Sequence, residues 1–154
     1  MDEIARQTGV GVGTLYRHFP SRDDLILALV ADDLERLATR ADELRAGTEA
    51  DAVERWLVEL IHHNLTYRGL AESIADAVAR HTALGAACVR LHDAGAALVR
   101  KQQDDGTIRS DIDPHVPIDL AAAVAWSTQD AGENGRRAAL LQVTMDGLRA
   151  STLR

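Results

Sequence analysis

The sequence predicts an all-α protein, an N-terminal helix-turn-helix module followed by a helical ligand-binding and dimerisation bundle. Three observations carry that prediction. Alanine occurs 26 times in 154 residues against three prolines, and Ala and Leu lose little side-chain freedom in a helix. Apolar residues recur at spacings of three and four, with no two-residue alternation of the strand type. Turn formers then punctuate the periodic stretches at Gly9, Gly47, Gly69 and in the segment from Asp105 to Pro117.

Residues 2–8 (DEIARQT) are expected to form a first amphipathic helix, acidic where the helix dipole favours negative charge and closed by Gly9 as a left-handed cap. A second short helix should run from Val12 to Phe19 and stop before Pro20. Ser21 is placed to cap a third helix, with Asp24 three residues on completing a capping box. Leu25, Ile26, Leu29, Val30, Leu34 and Leu37 give that helix one apolar side to about Arg45. Thr48 is the expected cap of the next, whose stripe is Val53, Trp56, Leu57, Leu60, Ile61, Asn64 and Leu65, ending near Gly69. Further helices are expected over 71–80, 82–105, 118–131 and 136–152. The domain division is placed at 1–45 and 46–154.

Bulk properties narrow the function. A net charge of −7 argues against a surface coated with nucleic acid. The charge is uneven: residues 1–22 carry Arg6, Arg17 and Arg22 against Asp2 and Glu3, a balance of +1, so the remainder carries −8. A locally non-acidic patch can still meet a polyanion. The single cysteine, Cys88, excludes an intrachain disulfide and fits a reducing compartment. No apolar run approaches the roughly 20 residues that cross a bilayer, and the Met1-Asp2-Glu3 start carries no signal peptide. A cytoplasmic location without a membrane partner is expected.

The stretch Gly9 to Pro20, GVGVGTLYRHFP, bears on nucleotide or DNA chemistry. A dinucleotide loop needs G-x-G-x-x-G between a strand and a helix, but Thr14 stands at the sixth position and a helix precedes. The other phosphate loop needs Gly-Lys-Ser/Thr, and Lys101 is the sole lysine. On a helix, Val12, Leu15, Tyr16 and Phe19 fall on one side, expected to pack on Ile4, Ala5 and Leu25. Gly13, Thr14, Arg17 and His18 fall on the other. Gly13 permits close approach, Thr14 offers a hydroxyl or methyl to a base, and Arg17 can pair with guanine or a phosphate. Tyr16 lies at the border, its hydroxyl within reach of a phosphate. Arg22 and the amides opening the third helix add an anion site. Helix, glycine turn and second helix make a helix-turn-helix.

The residues Ile4-Ala5, Gly9-Val10, Gly13-Thr14-Leu15-Tyr16 and His18-Phe19-Pro20-Ser21 are very similar to the DNA-binding signature of the TetR-family transcriptional repressors. The match is close over some 25 residues; the remainder resembles the family in layout only. The resemblance implies that Val12, Gly13, Thr14 and Arg17 face bases and that Tyr16, His18 and Arg22 contact phosphates. Gly11 departs from the family's serine at the recognition-helix cap, at a cost of a few tenths of a kcal/mol. The family also places one more helix, with a basic arm, before the one starting at Asp2. Either the start lies upstream of Met1, which is the expectation, or the module lacks that helix and binds DNA weakly.

Three other groups complete the reading. Trp56, Leu60, His63, Asn64, Tyr67, Cys88 and Leu91 are the candidate effector-pocket residues, with plain core packing as the alternative; the resemblance favours a pocket between these helices. Leu120, Ala123, Val124, Leu140, Leu141, Thr144, Met145 and Leu148, with Trp126 and Val143, make the last two helices apolar on more than one side. A dimer interface is the preferred reading over core. His81, Cys88 and His92 share a helix side but lack a full ligand set, so no metal and no cofactor are expected. No nucleophile elbow surrounds Ser73, Ser110 or Ser127, and no enzyme is expected.

Together these features describe a homodimeric regulator that binds a pseudo-palindromic site on double-stranded DNA and is released by a small apolar effector. A dimeric effector-binding chain without DNA binding is the first rival. A small helical enzyme using His62 and His63 is the second.

Overall fold

The computed structural model describes residues 1–67, 83–130 and 133–150. Seven helices lie among them: α1 (Asp2–Thr8), α2 (Val12–His18), α3 (Arg22–Ala46), α4 (Ala52–Thr66), α5 (Ala83–Asp104), α6 (Val116–Ser127) and α7 (Asn134–Leu148). The fold class is all-α. No strand forms among the described residues, only one antiparallel bridge between Ile108 and Arg149. The helix expected over 71–80, and His81 with it, lies outside the described residues.

Local chemistry sets the boundaries of the N-terminal helices. Gly9 adopts φ +71°, the left-handed conformation in which a side chain is strained, and turns the chain from α1 into α2. The Ser21 hydroxyl accepts from the Asp24 amide, and the Asp24 carboxylate accepts from the Ser21 amide, so the capping box starts α3 as predicted. Gly47 ends α3 in an extended conformation.

Helix α7 ends at Leu148 rather than 152, and three further expectations need correction. Asp51, not Thr48, is the residue before α4, and no side chain caps that end. The turn is held instead by Gln102 of α5, whose Nε2 donates to the carbonyls of Glu49 and Ala50, both at 2.9 Å. Helix α6 stops at Ser127 rather than 131. There Thr128 is fully buried, its hydroxyl donates to the Val124 carbonyl at 2.7 Å, and Arg137 donates to the Thr128 carbonyl at 2.9 Å. The third correction concerns α2, whose expected apolar side of Val12, Leu15, Tyr16 and Phe19 is covered along one edge only. Leu15 is buried and Phe19 half-buried, but Val12 is 44% and Tyr16 45% exposed. The two-turn helix rests mainly on α1, which is equally short, so their contact buries one line of side chains, Ala5 and Leu15, and leaves Ile4 open.

The core forms where α3 lies along α5 and where α4 lies along α6, which in turn packs on α7. Helix α3 contributes Val30, Leu34, Ala38, Ala41 and Leu44. Helix α4 contributes Val53, Trp56, Leu57, Leu60 and Ile61, and α5 contributes Leu84, Leu91, Leu98 and Val99. Trp56 is fully buried; its indole N–H donates to the Leu37 carbonyl at 2.9 Å, spanning from α4 to α3. Gly95 is what lets α5 approach that ring. A Cβ there would lie 2.3 Å from Cη2 and 2.8 Å from Cζ3 of Trp56.

Candidate nucleic-acid interface and helical cavity

Helix α2 is open to solvent on every side but the edge that carries Leu15. Val12, Gly13, Thr14, Tyr16, Arg17 and His18 are all exposed, and Arg22 at the start of α3 joins them. Among the described residues, the side chains of Thr14, Tyr16, Arg17, His18 and Arg22 enter no hydrogen bond and no ion pair. Most other arginines differ: Arg6, Arg36, Arg40, Arg45, Arg90 and Arg109 are each tied to a carboxylate. Two cations at one end of an acidic molecule therefore keep their charge uncompensated. A Cβ built on Gly13 meets nothing within 4 Å, so the helix leaves a flat opening beside Thr14 and Arg17.

A cavity of about 350 Å³ lies between α3 and α4. Asp33, Arg36, Leu37 and Arg40 line it from α3, and Glu59, His62, His63, Thr66 and Tyr67 from α4. Of the expected pocket residues, His63 and Tyr67 stand on this wall. Trp56, Leu60 and Leu91 do not; they belong to the packed core, because the Trp56 ring fills the space between its own helix, Gly95 and Ile118. Asn64 and Cys88 are half-buried and away from this wall. Burial pushes the Cys88 thiol above its ordinary range.

The lining is mixed and carries ion pairs, where an apolar body with a few polar groups was expected. Arg40 pairs with Glu43 at 3.2 Å and Glu59 at 3.4 Å. Arg36 pairs with Asp33 and, at 3.4 Å, with Asp32. The Tyr67 hydroxyl donates to Asp33, and the Tyr67 and His63 rings sit 5.0 Å apart between centroids. His63 is only 9% exposed. Burial first, and the Arg36 charge second, lower its pKa to about 4, so the imidazole is neutral at ordinary pH. The charged members Asp33, Arg36 and Arg40 lie off the apolar stripe by which the third helix was read. Their spacing of three and four, facing Glu59 and His63 at the same interval, was the available signal.

The last two helices divide their apolar residues between two sides. Val124, Met145 and Leu148 are buried in the protomer's own core, a correction to their expected place at a dimer contact; α6 packs on α4 and on α7. Leu140, Leu141 and Thr144 are half-buried. Leu120 and Ala123 are exposed, with Trp126 at 74% and Val143 at 70%. Among the described residues, no group of three His, Cys, Asp or Glu side chains is placed to hold a metal ion. No helix among them is long and apolar enough to cross a membrane.

Comparison with known proteins gives this arrangement its context. Residues 48–150 match the model for the C-terminal domain of SbtR-like transcriptional regulators, and residues 1–29 match that of the bacterial regulatory proteins of the tetR family. The HTH-type transcriptional regulator UidR of Escherichia coli K12 is 27% identical over 117 residues, 75% of this chain and 60% of its own length. An HTH-type transcriptional regulator of Staphylococcus aureus RF122 is 35% identical over 51 residues, 33% of this chain and 28% of its own. The chain thus spans less than two thirds of the length of these curated relatives. The crystal structure of the TetR transcriptional regulator SCO0520 from Streptomyces coelicolor superposes with a TM-score of 0.80 at 31% identity, over 98% of this chain and 87% of that one. With the short helix pair at one end and the C-terminal family model covering the helical body, the chain belongs to the TetR family of bacterial transcriptional regulators.

Proposed function

We propose that this chain is a homodimeric DNA-binding repressor, acting in the cytoplasm on a pseudo-palindromic operator and released by a small molecule held between α3 and α4. The observation that carries the reading is the open face of α2, with a hydroxyl, a guanidinium and an imidazole beside an unobstructed glycine, none engaged by the protein itself. In this reading Val12, Gly13, Thr14 and Arg17 meet base edges in the major groove, while Tyr16, His18 and Arg22 meet phosphates. Two copies of α2 enter successive grooves about 34 Å apart. Residues 1–45 form the DNA-reading module and the linking helix α3, which supplies one wall of the cavity, and residues 46–154 form the rest of the effector and dimerisation unit.

The continuity of α3 supports coupling between the two. One 25-residue helix starts at the Ser21 cap beside the DNA face and carries Asp33, Arg36 and Arg40 on the cavity wall. A ligand that changes how α3 sits against α4 therefore changes where α2 points. Effector and operator then weaken each other's binding by the same factor.

The test is a gel-shift with the DNA flanking the gene, at low and high salt. The chain is expected to retard a specific fragment in a salt-sensitive way. Arg17→Ala and Thr14→Ala are each expected to lose about 1–3 kcal/mol on that fragment. A folded dimer that shows no such retardation rejects the repressor reading.

A further inference from the structure

Resting on the reading of the α3–α4 cavity as the effector site, we infer that its ligand is a small uncharged molecule carrying several hydroxyl or amide groups. Among the described residues two cations and two anions line the cleft: Arg36 and Arg40 stand against Asp33 and Glu59, while Asp32 and Glu43, which pair with the same guanidiniums from outside the lining, are largely exposed to solvent. A ligand with net charge brings an uncompensated ion into a cleft that has already satisfied its own. An apolar ligand fares no better, because it strips water from four ionised groups and offers no hydrogen bond in return.

The central lining group points the same way. His63 is more than nine-tenths buried and stands on the cavity wall, and its ring nitrogens make no hydrogen bond among the described residues. Its neutral ring has one N–H to donate and one lone pair to accept with. A hydroxyl satisfies both kinds of need, as an amide does; a carboxylate satisfies only the first. Around it the free capacity is likewise mixed. Tyr67 spends its proton on Asp33, and Thr66 donates to the His62 carbonyl at 2.9 Å, so both hydroxyl oxygens remain acceptors. Arg40 uses two of its five N–H groups on carboxylates, which leaves donors for the opposite role. Alternating donors and acceptors around a charge-balanced cleft fit a ligand whose every polar group is both.

The experiment is a thermal-shift and calorimetric screen of the whole chain against three probe sets: neutral polyols and amides (glucose, maltose, myo-inositol, uridine), their ionic counterparts (glucuronate, citrate, glucosamine), and apolar compounds (naphthalene, decanol). Stabilisation by the neutral set alone, little changed between low and high salt, is the expected result. His63→Leu should weaken it about tenfold, the worth of one buried hydrogen bond, and, independently, Thr66→Val on the exposed rim should weaken it about twofold to threefold. If ionic or apolar probes bind instead and the same substitutions abolish that binding, the cavity is the effector site and the neutral class is overturned. If no probe of any set binds, or binding ignores both substitutions, the cavity reading falls together with the ligand class.

Discussion

Gly13 separates folding from recognition at a single atom. Nothing lies within 4 Å of a Cβ built there, and a glycine inside a helix costs roughly 0.5–1 kcal/mol relative to alanine. Gly13→Ala is therefore expected to raise the melting temperature slightly while weakening operator binding by about tenfold or more, since the new methyl stands where a base edge must come. Equal binding by this variant removes Gly13 from the interface. His63 gives a second test through pH. Its folded pKa of about 4 lies below the 6.5 of an unfolded histidine. Below pH 6.5 the unfolded chain takes up a proton that the folded chain refuses, so stability is full above that pH and falls on the way down to about 4. The expected loss is roughly 1–3 kcal/mol, reduced from the full shift by solvent at the cavity mouth. Acid titration of His63→Leu by circular dichroism should lack this limb. These residue roles were unevenly legible. Thr14 and Arg17 stand out because a polar side on a two-turn helix has no structural purpose, whereas His63 was visible as a candidate but not as neutral, since burial is not written in spacing.

At the scale of elements, α3, α4 and α5 are locked around one indole ring. Gly95→Ala is expected to destabilise the chain by about 1–3 kcal/mol, because the added methyl runs into Trp56 and lies 3.0 Å from the Ile118 Cδ1. Chemical denaturation measures the loss. Trp56→Phe in the same chain should recover part of it by shortening the ring, and a purely additive double mutant contradicts the packing described. The helices themselves were readable because their signals are local: Gly9 and the Ser21–Asp24 box act within a few residues of chain. The missed ends have distant causes. Thr48 had a suitable side chain, but Gln102, more than fifty residues away, holds that turn. Arg137 and Thr128 likewise set the join between α6 and α7 from opposite sides of the gap.

At the scale of the molecule, the outward side of α6 and α7 makes an assembly prediction. Trp126 and Val143 are among its most exposed apolar side chains, and a homodimer that closes over them buries surface no monomer can. Trp126→Asp or Val143→Asp is expected to shift the chain from dimer to monomer in light scattering and to weaken operator binding with it. A dimer indifferent to both charges places the interface elsewhere. Periodicity marked these two helices as apolar on more than one side but could not divide the sides, because Met145 and Val143 differ only in what stands opposite them. What the sequence alone determined is the all-α class, the helix order and the short N-terminal helix pair, each written in neighbours within a turn or two. Tertiary structure alone decided that Trp56 is core, that ion pairs line the cavity, and which C-terminal residues remain open. Those outcomes depend on which helix lies against which, and side chains forty residues apart meet only after the chain has packed.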